Sequence, residues 1–358
     1  MTIQQIVNPE NVEIELQKIW EKLAQENKMR ACLFNLLVFN RYSERADYIR
    51  NIAQKIIEKF PCRVLFISEN PDAKEPYLKT AVSVMKAKGE SSIACDDIDF
   101  GVSSSELHKI PYVLLPHIIP DLPIVLLWAE DPSKEHILFE SLTKIAHRII
   151  FDSESADSLS KFANTVLNLV ESKGYEIADL NWGRTEGWRD LISNIFNPPE
   201  RLSILKEISE ITITFNAKES ESFCHVKIQS MYLLFWLADR LQWKFQKTSN
   251  DFNFEFENGI KGSIIGTKWE KTGPGTILSV VFKTKSGQTI DCARIPERYH
   301  HAKIQFSSHE ICDLPFQFVL GKTATGQSLV KEICMKGTSS HFIEMLQILK
   351  SLKKDLIC

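Results

Sequence analysis

None of the eight cysteines, at positions 32, 62, 95, 224, 292, 312, 334 and 358, forms a C-x-x-C pair. The spacings that hold structural zinc or build a thioredoxin-like redox centre are therefore missing. No G-x-G-x-x-G follows a strand-like run, so the backbone lacks the glycines that let a pyrophosphate approach a helix start. Gly321-Lys322-Thr323 imitates the tail of a phosphate loop, but the position that needs the first glycine is Phe316. A bulky side chain there prevents the backbone from wrapping phosphate, and the tripeptide reads as a turn. H-E-x-x-H and G-x-S-x-G are absent as well, which removes the zinc-protease and hydrolase-elbow patterns.

Charge of one sign is also missing. Lys and Arg number 43 against 46 Asp and Glu, a formal net charge of −3. That balance gives no overall attraction to nucleic acid or to an acidic membrane. The opening MTIQQIVNPENVEIE has no basic segment followed by an apolar core, so it does not read as a secretory signal. The apolar stretch Ile110–Ala129 contains four prolines, His117 and Asp121. Lost backbone donors and an acid make it a poor membrane helix, and it reads as buried core. Cys32 and Cys62 sit in apolar runs, where cysteine behaves as a small hydrophobe. Reduced thiols then place the chain in the cytoplasm.

What is present is the patterning of a globular protein. At 358 residues and 44% hydrophobic content the expectation is two domains. Asn8-Pro9-Glu10 offers a capping side chain, a first-turn proline and an acid at the positive end of a helix dipole. Val12, Leu16, Ile19, Trp20 and Leu23 follow as one stripe. The run 31–39 reads as a buried strand. A helix capped by Ser43 follows, with Ile49, Ile52, Ala53, Ile56 and Ile57 on one face, and CRVLFIS resumes a strand. That strand–helix–strand unit favours a parallel pair. The pattern returns with IVLLW, a helix over 135–145, RIIFD and a helix over 159–170. TAVSVMKAKG and SSIACDDIDF read as further strands.

Residues 175–199 read as a connecting segment with a short helix. Thr185 caps it, Trp188, Leu191, Ile192, Ile195 and Phe196 face inward, and Pro198-Pro199 end it. Beyond it the texture changes. ITITF and FNFEF alternate as half-buried strands do, and Asn258-Gly259 and Ser286-Gly287 signal hairpin turns. A nearly all-apolar helix covers 228–241, and a last helix carries Phe342, Met345, Leu346, Leu349 and Leu352, with Lys350, Lys353 and Lys354 near its end. The fold class is α/β: an N-terminal α/β sandwich with a largely parallel sheet, plus a C-terminal α+β domain with a mainly antiparallel sheet. The expected divisions are 1–175, a connecting segment 176–200, and 201–358.

The search for chemistry returns little. Tyr299-His300-His301 lies near Cys292 and His309, but adjacent strand residues point to opposite faces, so no metal site is expected. Asp96, Asp97 and Asp99 read as a solvated turn. Arg184, Trp188 and Arg189 form the one cluster of interface type. Either Trp188 is buried with Arg189 directed outward, or the arginines tie the segment to Asp179 or Asp190. No catalytic residue, cofactor or metal is assigned.

PDLPIVLLWAEDP (120–132), AHRIIFDS (146–153) and DLNWGRTEGWRDLISNIFNPPE (179–200) together resemble the glucose-6-phosphate dehydrogenase assembly protein family of the OpcA type. NLLVF followed by CRVLFIS upstream, and WLADRLQW near the apolar helix, extend the resemblance over most of the chain. It implies a non-catalytic, allosteric activator that binds glucose-6-phosphate dehydrogenase and supports the oxidative pentose phosphate pathway. The partner-binding candidates are Trp182, Arg184, Trp188 and Arg189. Asp121, Pro123, Trp128, Asp152, Asp179 and Pro198 carry the family motifs, and a structural role fits them equally. Some members of that family answer to redox state through cysteines, but no closely spaced pair is present here to take that role. A protein of another class, a sensor or enzyme binding a sugar phosphate at a helix N-terminus, is the alternative.

Overall fold

The computed structural model describes residues 4–25, 27–41, 45–86, 93–220, 225–250, 252–308, 310, 312–320, 332 and 336–352. Ser43, Cys224, His309, Gly321-Lys322-Thr323, Cys334, Lys353, Lys354 and Cys358, all named above, lie outside the described residues. The chain divides into two units. The first takes in Met1–Asp152, Leu169–Asp179 and Leu329–Gly337, and the second Ser153–Asn168, Leu180–Ser328 and Thr338–Cys358.

The first unit is built on a nine-stranded sheet. Its strands are β1 (Gln5–Val7), β2 (Met29–Arg30), β3 (Asn35–Arg41), β4 (Arg63–Asn70), β5 (Leu78–Lys86), β6 (Ile93–Ser103), β7 (Ile124–Trp128), β8 (Arg148–Phe151) and β9 (Glu176–Asp179). The spatial order is β1-β5-β6-β4-β3-β7-β8-β9, with β2 beside β6. From β6 to β9 every pairing is parallel, and β5 and β1 add an antiparallel edge. The apolar runs of β3 and β7 are buried along their length, as strands covered on both faces must be. Helix α1 (Val12–Ala24) follows a 3-10 turn in which the Asn8 side chain accepts from the Glu10 amide. Helix α2 (Ala46–Ile57) buries Ile49, Ile52, Ala53, Ile56 and Ile57, the stripe set by its periodicity. Among the described residues, no helix is long and apolar enough to cross a membrane; the proline-rich stretch instead forms helix α3 (Ile110–Leu114), a 3-10 turn and β7.

Two expectations need correction. The segment after residue 175 is not wholly a connection, because β9 pairs with β8 in parallel. At four residues it is too short to declare a period. Asp96, Asp97 and Asp99 are not a solvated turn. They lie within β6 and are only 3%, 3% and 9% exposed. Their alternation decides what each meets. Asp96 accepts from Trp20 Nε1 at 2.7 Å, Arg30 Nη2 at 2.6 Å and Arg63 Nε at 2.9 Å. Asp97 and Asp99 share the opposite face, where Arg50 of α2 pairs with both and Ser83 donates to Asp97 at 2.7 Å. Burial sets the balance: it pushes Asp97 up to about 7, with the Asp99 charge adding to the rise and Arg50 and Ser83 opposing it.

Strands β10 (Ile208–Asn216), β11 (Phe245–Asn250), β12 (Asn253–Phe256), β13 (Lys261–Thr267), β14 (Ile277–Thr284), β15 (Thr289–Ile295), β16 (Arg298–Ser307) and β17 (Phe316–Val319) form the eight-stranded sheet of the second unit. Its order is β11-β12-β13-β10-β14-β15-β16-β17. Among the described residues, β10 with β13 is its one parallel pairing. Asn258 and Gly259 turn the chain between β12 and β13 with φ of 63° and 72°, a left-handed conformation that suits asparagine and glycine. The nearly all-apolar helix is Ile228–Arg240, buried from Ile228 through Ala238. Phe235 on it meets the rings of Phe254 and Phe256, at 5.3 and 6.4 Å between centroids. Gly262 of β13 leaves room for Leu234 of the same helix, since a Cβ there would stand 2.9 Å from Leu234 Cδ1. The last helix, Ser340–Lys350, is capped by the Ser339 side chain and buries Phe342, Met345, Leu346 and Leu349.

An aspartate whose folded pKa is raised binds its proton more tightly folded than unfolded. Stability therefore falls as pH rises from about 4 to about 7. Asp97→Asn removes this contribution while keeping an amide beside Ser83. The variant's melting temperature relative to wild type should be higher at pH 8 than at pH 5. Equal differences at the two pH values would show that Asp97 is ionised throughout.

Candidate functional site

The family-type segment 179–200 is built into the second unit after Asp179. Helices Leu180–Arg184 and Glu186–Phe196 adjoin through Thr185. Thr185 stands at the cap position, but its hydroxyl does not cap the helix; it donates to the Trp182 carbonyl at 2.8 Å. Trp182 and Trp188 are 2% and 1% exposed, so neither offers a ring to a partner. Trp182 packs against Phe342 at 5.5 Å, and Arg294 lies 5.6 Å from the Trp188 ring. Arg189 is not directed freely outward. Its guanidinium covers the Trp182 ring at 3.5 Å and donates to the Trp182 carbonyl at 2.7 Å and to Thr185 Oγ1. Arg184 pairs with buried Glu154 at 2.9 Å and donates to Asn181 Oδ1 at 2.7 Å, while Asn181 Nδ2 donates to Ser153 Oγ at 3.0 Å. The structure therefore brings Trp182, Arg184 and Arg189 into one hydrogen-bonded cluster. Arg184 forms an ion pair with Glu154.

The other motif positions fall at strand ends. Asp121 adopts a left-handed φ of 64° in the turn before β7, and the Pro123 carbonyl accepts from the Asn35 amide at 2.8 Å. Asn35 fixes the same turn through Ile119 and Leu122. Trp128, at the far end of β7, stacks on Phe39 with centroids 4.3 Å apart. Asp152 and Asp179 are fully buried at the carboxyl ends of β8 and β9. Pro198 precedes the helix Pro199–Lys206 with an extended ψ of 136°, so it both ends one helix and opens the next.

A second candidate lies at the carboxyl ends of the parallel strands of the first unit. Strand order reverses between β3 and β7, the place where open α/β sheets bind ligands. Here the crevice holds charged side chains that meet one another. Glu69 of β4 accepts from Ser104 Oγ at 2.6 Å and Arg41 Nε at 3.1 Å, with His136 Nε2 at 3.0 Å. Burial raises the Glu69 carboxyl, but those three hydrogen bonds outweigh it and bring the group down to about 2. The Glu130 carboxylate accepts from the Arg41 amide at 2.9 Å, and burial pushes that carboxyl up. Arg45 binds Asp152 at 2.6 Å. Three acids thus face two arginines, and the β3–α2 connection, NRYSER, contains no glycine. A phosphate would meet acids here, without the glycine-lined backbone that normally receives it. Sequence reasoning missed Arg41, Glu69, Glu130 and His136, which are up to 95 positions apart and share no spacing.

His300 and His301 are successive residues of β16 and part to opposite faces. Among the described residues, no group of three His, Cys, Asp or Glu side chains is placed to hold a metal. Burial pushes Cys62 well up and Cys95 up to about 12, the direction that makes a thiol inert.

The architecture defines the class first: two units, one doubly wound and one with an open antiparallel sheet. A solved 3-ketoreductase from Actinomadura kijaniata, in complex with NADP and TDP-benzene, shares that fold with a TM-score of 0.54, at 7% identity over 90% of this chain and 97% of its own. Residues 53–167 match the family profile described as the glucose-6-phosphate dehydrogenase subunit N-terminal domain, and 175–339 that of the C-terminal domain. Two relatives, provisionally named OxPP cycle protein OpcA, come from Synechocystis and Nostoc punctiforme. They are 32% and 27% identical over 54% and 56% of this chain, and the match spans 39% and 43% of their own length. The chain belongs to the glucose-6-phosphate dehydrogenase assembly protein family of the OpcA type.

Removing Arg184 and Arg189 together takes one donor from Glu154 and one from the Trp182 carbonyl. Each lost buried bond costs about 1–3 kcal/mol. The Arg184→Ala/Arg189→Ala variant should melt several degrees below wild type. An unchanged melting temperature would return both arginines to a purely external role.

Proposed function

We propose that this chain is a non-catalytic partner of glucose-6-phosphate dehydrogenase that supports the oxidative pentose phosphate pathway by favouring the enzyme's assembled, active conformation. The observation that carries the reading is that both halves match profiles described as domains of a glucose-6-phosphate dehydrogenase subunit. The crevice chemistry supports the same reading, because its acids and arginines meet each other at the strand-order reversal. Activation then follows from selection: a partner that binds the active form better shifts its population by that difference in affinity and by no more. Under this reading Trp182, Arg184, Trp188 and Arg189 serve the partner by fixing the shape of the segment that carries them, and the outward edges of the two arginines supply its contacts.

Mixing the chain with the dehydrogenase of its own organism should give a co-eluting complex on size exclusion and faster NADPH production. The chain alone should produce no NADPH from glucose-6-phosphate. Separate elution with unchanged kinetics would contradict the reading. Tight calorimetric binding of glucose-6-phosphate or 6-phosphogluconate to the chain alone would favour the sugar-phosphate sensor instead.

A further inference from the structure

Register brings five strand ends of the second unit together. Asn216 of β10 lies beside Thr267 of β13, Phe215 beside Ile277 of β14, and Ile295 of β15 beside Arg298 of β16. The loop 268–276 and the turn Pro296-Glu297 therefore leave the sheet at one end. Lys271 joins them, its Nζ donating to the Pro296 carbonyl at 3.1 Å. Fully buried Asn216 sets the course of the loop. Its Nδ2 donates to the Trp269 and Thr272 carbonyls at 2.7 and 2.8 Å, and its Oδ1 accepts from the Trp269 amide at 2.9 Å. A loop ordered in advance loses little conformational freedom when it binds. Trp269, so held, is partly exposed; among the described residues its ring meets no other ring or cation, and its indole N–H meets no acceptor. Tyr299 and His300 pack together at 4.0 Å beside the turn, and both are partly exposed. Charge at this end is uneven. Glu270 and Glu219 are taken up by Lys218 and Lys268. Lys271, Arg294 and Arg298 close no ion pair among the described residues, and Glu297 is the one acid of the turn. Arg294 is only 8% exposed, and backbone carbonyls of Ile277 and Tyr299 take its Nε and Nη1 at 2.6 and 2.5 Å. Burial without an acid beside it brings its guanidinium down to about 10.

We propose that the loop 268–276 and the turn 296–298 form the surface that grips the dehydrogenase, and that the partner segment it fits is acidic, with an apolar socket for Trp269. The inference rests on the activator reading. Two features favour such a partner. The first is composition: a tryptophan, a tyrosine and arginines on ordered backbone are the residues that carry most binding energy at protein interfaces. The second is charge. Three cations against one acid, in a chain whose net charge is −3, call for carboxylates opposite, and exposed rim charges such as Lys271 and Arg298 speed the encounter. A protein suits the surface better than nucleic acid, because Glu219, Glu270 and Glu297 stand among the cations and would repel a phosphate backbone. Trp188 of the family-type segment lies 5.6 Å from Arg294, so that segment braces the surface from behind.

Titration of the full chain against the dehydrogenase of its own organism, with thermal melts of each variant alongside, tests the proposal. Trp269→Ala should weaken binding about tenfold or more while the protein stays folded. Lys271→Glu/Arg298→Glu should weaken it about as much and flatten its dependence on salt between about 50 and about 500 mM, a change that a merely destabilised fold would not produce. Lys206→Glu/Lys285→Glu makes the same change of net charge at the other end of the sheet, where the Lys285 amide donates to the Glu207 carbonyl. That variant should keep its affinity within about twofold of wild type, since its charges lie off the surface. Unchanged binding in the first two variants, or an equal loss in the third, overturns the inference and leaves the activator reading standing. A wild type that does not bind the dehydrogenase overturns both. Loss of duplex-DNA binding in Lys271→Glu/Arg298→Glu, with the dehydrogenase held as before, gives the surface to nucleic acid and also overturns the inference.

Discussion

The carboxylate of Glu69 organises the one place where this fold would ordinarily receive a ligand. It is almost fully buried at the end of β4, and Ser104, Arg41 and His136 converge on it from three other segments. Burial alone would favour its neutral form; three hydrogen bonds hold it ionised instead. With Glu130 bound to the Arg41 amide and Asp152 to Arg45, the crevice is a set of side chains that bond one another. A buried network of this kind specifies one arrangement and penalises any change that removes a single member. The crevice thereby holds the chain's own side chains at the place where open α/β sheets bind ligands.

The same logic governs the second unit. Arg189 covers Trp182 and bonds its carbonyl, and Arg184 holds Glu154, so aromatic and arginine residues of the kind found at interfaces work inward. Composition alone could not separate these roles, since tryptophan and arginine are favoured both at hot spots and in buried cation–π pairs. Internal bonds fix the shape of the segment, and its two arginines remain only partly buried.

Much of the fold was legible in the amino-acid order. The 3.6-residue stripe of α2 and the unbroken apolar runs of β3, β4 and β7 announced a parallel sheet covered on both faces. Strict alternation in ITITF and the Asn258-Gly259 turn announced the antiparallel one. Strand β9 was not legible, because four residues cannot declare a period. The acids of β6 were misread because a run of aspartates resembles a solvated turn until its partners appear: Arg63 and Arg30 stand 33 and 66 positions from Asp96, and Arg50 stands 47 and 49 from Asp97 and Asp99. The crevice was invisible for the same reason. Its members share no spacing, and only the strand order assembles them. The motif segment was found by resemblance, but its direction, inward rather than outward, depends on the carbonyl of Trp182 and on Glu154, which no pattern marks.

On the proposed reading, the strand-order reversal, where its own charges meet one another, receives no dinucleotide. Fluorescence titration of the isolated chain with NADPH tests it most directly. No saturable change is expected up to millimolar nucleotide; a one-to-one isotherm in the micromolar range would contradict this reading.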